Sequence, residues 1–167
     1  FGFDGVELKI LLVKRGMDPG KGQWSLMGGF VEPGESLESA GNRILQHLTG
    51  LDKVYLEQLY AFGDPDRDPL ERTVSVAYFA LLDLTKYKKQ LTDAYQAEWF
   101  QLKKTPPLIF DHQEMVRMAR AKLRYKASLH PILFELLPEK FTLPQLQNLF
   151  EDVYDTLFDK RNFSRKI

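Results

Sequence analysis

Residues 29–51 read GFVEPGESLESAGNRILQHLTGL. The Pro33-Gly34 pair predicts a tight turn. Beyond it Leu37, Ala40, Ile44, Leu45 and Leu48 recur at helical spacing, so a helix is predicted over residues 37–48. Gly50 falls where a left-handed helix stop is wanted. Two opposite charges flank the turn, Glu35 six residues after Gly29 and Arg43 eight residues further on. Charges that leave water are as a rule paired, so the residues alone predict a Glu35–Arg43 ion pair that pins the turn to the helix.

Upstream, residues 5–14 (GVELKILLVK) carry a β-rich apolar run and read as a buried strand, and the Gly- and Pro-dense RGMDPGKGQW that follows reads as a loop. SLMGGFVEPGES reads as a short extended segment ending in the turn. Downstream, VYLEQLYAFG, TVSVAYFALLDL and AEWFQL read as strands, the first two separated by the charged turn DPDRDPLER. A helix is predicted from Asp111 to about Ser128, with Asp111 and Glu114 spaced as a capping box. It must end before His130-Pro131, because the residue ahead of a proline avoids helical geometry. HPILFELLP reads as an apolar connector. Thr142 caps a helix over residues 143–154 with Pro144 in its first turn, and after a break at DTLF, Asp159 caps KRNFSRKI. The chain thus divides into residues 1–130 and 131–167.

The 167 residues are 44% apolar and 28% charged, the balance of an ordinary globular chain. Net charge is zero, so contact with nucleic acid requires a local basic patch. Absence of cysteine excludes disulfides and thiolate metal sites and fits a reducing, cytoplasmic setting. No apolar run is long enough for a membrane helix. The first residue falls inside an expected strand, which predicts that the natural N-terminus lies further upstream.

The spacing Gly29, Glu35, Arg43, Gly50, Leu51, with KRG…GQWSLMGGF ahead of it, resembles the Nudix box, the loop–helix–loop of enzymes that hydrolyse nucleoside diphosphates linked to another group. Proline is usual where Met27 stands. In that family three further glutamates on the helix hold Mg²⁺ through oxygen ligands, and the metal activates water. The matching positions here are Ile44, His47 and Leu48. An aliphatic side chain offers no lone pair, and imidazole is a poor Mg²⁺ ligand. Hydrolysis by this box is therefore not expected, and neither a metal site nor a cofactor is implied.

GDPDRDPLERTVSVAY, LIFDHQEMV, LLPEKFTLPQLQNLFE and FDKRNFSRKI together resemble the Nudix-related transcriptional regulators. The resemblance implies an α+β chain: a Nudix-like α/β/α sandwich with a mixed sheet, followed by a partial winged helix-turn-helix. It implies a repressor that binds an operator in double-stranded DNA as a homodimer and senses a small metabolite, ADP-ribose or a pentose such as L-arabinose. Arg15, Trp24, Arg67 and Arg72 are the expected effector-binding residues, since arginine suits phosphate. Lys160, Arg161, Asn162, Ser164, Arg165 and Lys166 are the expected DNA contacts, on a short helix whose apolar stripe is Phe163 and Ile167. The wing expected after that helix is not contained in these residues. Two other readings remain open: a Mg²⁺-dependent hydrolase of an ADP-sugar with carboxylates displaced to Glu38 and Glu71, and a sugar- or nucleotide-binding module with no DNA role.

Overall fold

The computed structural model describes residues 1–51, 54–87 and 96–166. Asp4 takes the amides of Val6 and Glu7 onto one carboxylate oxygen, and Gly5 turns with φ +93. This tight turn joins β1 (Gly2–Phe3) to β2 (Leu8–Lys14), so the expected strand starts at Leu8 and not at residue 5. Strand β2 pairs with β6 (Ala97–Gln101) along one side, and with β1 and β3 (Trp24–Ser25) along the other. All of these pairings are antiparallel. β5 (Ser75–Asp83) lies parallel to β1, and β4 (Tyr55–Phe62) runs antiparallel to β5 at the edge. The sheet is therefore mixed. Of the extended segment expected over SLMGGFVEPGES, only Ser25 and the preceding Trp24 form a strand among the described residues.

Side chains alternate across a strand, and the two faces take different helices. On one face Leu56 and Tyr78 meet Gly41 of α1 (Leu37–Thr49), where a β-carbon would stand 3.2 Å from Leu56. On the other face Phe79 and Leu81, with Leu8, Ile10 and Leu12 of β2, pack with Val116, Ala119 and Leu123 of α3 (His112–Leu129). The short α2 (Leu84–Tyr87) follows β5. Helix α1 starts at Ser36, whose hydroxyl accepts the Ser39 amide, and it stops, as its sequence predicts, at Gly50 with φ +70. Its buried residues are Ala40 and Leu45, whereas Leu37 is 43% exposed, so the apolar stripe turns away from Leu37. The side chain of Leu48 lies outside the described residues.

The capping box expected at Asp111 does not form. Asp111 precedes α3 but makes no side-chain cap, because its carboxylate is taken by Arg67. Glu114 pairs instead with Arg117 one turn on. HPILFELLP is more than a connector: Ile132–Leu136 winds into a 3-10 helix that buries Ile132, Leu133 and Leu136 against β5.

Helix α4 (Leu143–Tyr154) opens with a complete capping box between Thr142 and Gln145, and Pro144 sits in its first turn. Asp155 closes it with φ +54. Helix α5 (Lys160–Lys166) starts where Asp159 accepts the Asn162 amide at 3.0 Å. Leu146, Leu149 and Val153 of α4 and Phe163 of α5 join the same apolar cluster as Phe3 and Leu12, so the core continues across residue 130. Phe163 meets Phe150 and Phe158 at ring distances of 5.8 and 5.7 Å. Ile167, the second residue of the expected stripe, lies outside the described residues.

Candidate functional site

Glu35 and Arg43 meet as expected. Arg43 donates to Glu35 through Nε (3.0 Å) and Nη2 (2.5 Å), and Nη2 also reaches the Phe30 carbonyl at 2.9 Å. Glu35 accepts the Glu32 amide at 2.7 Å, and Glu32 stands 3.4 Å from Arg43. The Arg43 hydrogen bonds, with the Glu32 amide second, hold the Glu35 carboxyl below the usual range. Both oxygens of Glu35 thus serve the turn. A β-carbon on Gly29 would lie 2.9 Å from Cδ1 of Ile44, so the tip of Ile44 would have to shift to admit one. The position that carries a carboxylate in a hydrolase is filled here by an aliphatic side chain packed on the loop. His47 lies on the exposed side of α1, and Glu38 and Glu71 are exposed. Among the described residues no three His, Cys, Asp or Glu side chains stand together to hold a metal. The donor set does not fit Mg²⁺.

A second cluster gathers around residues 108–112. Arg67, only 5% exposed, makes two parallel hydrogen bonds to Asp111 (2.7 and 2.8 Å) and a third to the Ser75 hydroxyl at 2.8 Å. This geometry ties the charged turn, with the expected effector residue Arg67, to the start of α3. Its guanidinium is committed to protein partners. Trp24 accepts the Ile109 amide on its carbonyl at 3.1 Å, and its indole lies edge-on to Phe100 at 4.7 Å. Arg15 lies over the Phe110 ring at 5.6 Å and donates to the Met17 carbonyl at 3.1 Å. The structure thus brings Arg15, Trp24 and Arg67 to one segment. Arg72 stays on the exposed turn and donates to the Asp64 and Thr73 carbonyls, both at 3.4 Å.

Two members of this cluster were missed by sequence reasoning. His112, in the first turn of α3, accepts the Leu26 amide on Nδ1 at 3.1 Å. Phe110 has φ +49, a conformation costly for an aromatic residue, and it is the ring beneath Arg15. A Phe in a loop beside Asp-His carries no spacing signal that announces either role.

Burial lowers the His112 pKa below its ordinary 6.5, against the opposing pull of Asp111. The unfolded chain therefore binds the proton more readily than the folded one, and stability falls as pH drops below 6.5. Replacing His112 by Asn is expected to remove this part of the acid slope. Urea midpoints of both proteins between pH 7.5 and 5 check it, and parallel slopes would sink it.

On α5, Lys160, Arg161, Asn162, Ser164 and Arg165 are all exposed, and Phe163 is buried. The helix presents one apolar anchor and an otherwise polar, mostly basic surface. The side chain of Lys166 lies outside the described residues. A cleft of about 410 Å³ lies elsewhere, between the ends of β4 and β5 and the 134–141 segment, lined by Tyr55, Leu81, Asp83, Phe134 and Phe141. Two further residues of its wall, Val54 and Leu82, pack with Leu51 at the end of the box.

Residues 3–120 match the family model described as NUDIX domain, and residues 133–167 that of the NrtR DNA-binding winged helix domain. The ADPR responsive transcriptional repressor NtrR of Acinetobacter baylyi is 36% identical over 171 residues, which span all of this chain and 68% of the relative. The ADP-ribose pyrophosphatase of Methanocaldococcus jannaschii is 40% identical over 110 residues, 65% of this chain and 64% of the enzyme. Shewanella oneidensis NrtR complexed with a 27mer DNA superposes with a TM-score of 0.86 at 34% identity, over 99% of this chain and 78% of that one. The NUDIX domain of the same protein complexed with ADP ribose gives 0.61 at 36% identity, over 70% of this chain and 79% of that one. No described helix is long and apolar enough to cross a membrane.

Proposed function

The chain belongs to the Nudix family, in the form that joins a Nudix domain to an NrtR-type winged helix, and from that premise we propose that it is an operator-binding transcriptional repressor whose Nudix domain, residues 1–130, senses ADP-ribose without hydrolysing it. The observation that carries this reading is α5, a short basic helix held by Phe163 on α4, with five exposed polar or charged side chains turned outward. Such a helix suits the major groove, with Lys160, Arg161 and Arg165 on phosphates or guanines and Asn162 and Ser164 on base edges or phosphates. Ile44 and His47 in place of carboxylates, and Glu35 bound up by Arg43, support sensing over catalysis. The relatives that align along the chain favour ADP-ribose, and nothing in them supports the pentose. Arg15, Trp24 and Arg72 then face the effector, with Phe110 shaping the site. A homodimer in the cytoplasm, reading two half-sites of an operator, completes the proposal.

Arg165→Ala is expected to weaken operator binding roughly tenfold and to lower the slope of log affinity against log salt by about one. Fluorescence polarisation with the full-length protein and its promoter region measures both, and no binding at low salt by the unsubstituted protein would refute the helix-turn-helix assignment. Mg²⁺-dependent release of AMP from ADP-ribose, lost in Glu35→Gln, would overturn the sensing role in favour of the hydrolase.

A further inference from the structure

Three elements of the Nudix domain close on the last turn of α4. The Asp152 carboxylate accepts the Leu8 amide at 2.7 Å, across 144 residues of sequence, at the point where β2 begins. Lys103, in the 3-10 turn Leu102–Lys104 that follows β6, stands 3.1 Å from Asp152 and 3.6 Å from Asp155. Arg124 of α3 donates through Nε to the Val153 carbonyl at 2.5 Å. Apolar packing alone would leave α4 free to slide, because it has no direction. These polar contacts have direction and fix a pose.

Their other ends matter as much. Strand β2 runs from Leu8 to Lys14 and leads into Arg15. Helix α3 starts at His112, beside the Asp111 that holds Arg67, and His112 itself holds Leu26. Strand β2 and helix α3 therefore each have one end at the proposed effector cluster and contribute the other to the grip on α4. From α4 the link continues to α5. Gln147, nearly buried, donates to Glu151 and to the Phe158 carbonyl, both at 2.8 Å. Glu151 also accepts the Phe158 amide at 2.9 Å, so the turn before α5 is carried by the same helix.

We propose that Asp152 and Arg124 are positioning residues that clasp the winged helix to the Nudix domain, and that ADP-ribose alters operator affinity through this clasp. The inference rests on the repressor reading above. A ligand shifts an equilibrium only by its unequal affinity for two states, and the clasp is the contact whose two arrangements the ligand distinguishes. Removing it uncouples the sites and spares each of them.

The test uses the full-length protein and its operator. In Asp152→Ala/Arg124→Ala, the ADP-ribose affinity and the DNA affinity without effector are expected to stay within about threefold of the unsubstituted values. The ratio of DNA affinities without and with saturating ADP-ribose is expected to fall at least about fivefold toward one. Asp152→Asn, which keeps an acceptor for the Leu8 amide, is expected to retain most of the ratio; if the double variant does not fold, Arg124→Ala alone replaces it, with a fall of the ratio toward one expected and an unchanged ratio overturning the proposal. A purely structural role would weaken both affinities and leave the ratio unchanged, and that result overturns the proposal. The chain has no cysteine, so spin labels at Gln46→Cys and Leu157→Cys report the pose directly. One narrow distance distribution that broadens in the double variant supports the clasp, and an unchanged distribution overturns it. If the unsubstituted protein binds operator but ignores ADP-ribose, the effector reading fails, while the distance measurement still judges the clasp.

Discussion

Arg67→Ala is expected to lower the stability of the ligand-free protein by about 3–5 kcal/mol. The guanidinium is almost fully enclosed and makes three hydrogen bonds, two of them to an Asp111 carboxylate that is itself only 24% exposed. Truncation leaves that carboxylate without its partner at the start of α3. Arg67→Lys is expected to recover little, since one ammonium cannot reproduce a two-pronged contact. Chemical denaturation measures the loss, and at this chain length a change of that size corresponds to a melting shift of about 10 °C. If Arg67→Ala instead melts with the unsubstituted protein and loses ADP-ribose affinity, Arg67 is a ligand group after all and its tethering role is refuted.

Leu149→Ala is expected to cost about 2–5 kcal/mol, the range for a leucine deleted from a closed core. Leu149 is 0% exposed and lies in α4, yet it belongs to the apolar cluster that includes Phe3, Leu12 and Leu123 of the Nudix domain. The cavity it leaves therefore opens between the two parts of the chain. One cooperative transition at a lower temperature is the expected calorimetric result, because the core that holds the winged helix also holds the sheet. Two separate transitions in the unsubstituted protein would show that the parts fold independently.

Much of the fold is legible in the sequence because it is written locally. Helical spacing from Ala40 to Leu45 and the Gly50 stop are short-range features, and α1 has the predicted bounds to within one residue. The same holds for Thr142 and Gln145 at α4 and for Asp159 at α5. The ion pair of Glu35 and Arg43 also lies within reach of sequence reasoning, since one turn and two helical turns separate them. The identities of Ile44, His47 and Leu48 speak against a Mg²⁺ box without any coordinates. The basic residues from Lys160 to Lys166 point to nucleic acid only together with the helix over residues 143–154 that precedes them.

What the sequence by itself determined, then, is the span of α1 and α4, the caps of α4 and α5, and much of the chemistry that the box can and cannot offer. The tertiary structure alone decided which partners the charged residues took. Asp111 had a local use, as a helix cap, and lost it to Arg67 from 44 residues away. Asp152 reads as an ordinary helix residue and is the acceptor for Leu8. Ile44 reads as part of a buried stripe and packs close on Gly29. The physical reason is common to Asp111 and Asp152. A short-range hydrogen bond competes with every charged or amide group that the fold brings within 3 Å, and a pair removed from water is worth more than a cap that solvent can replace.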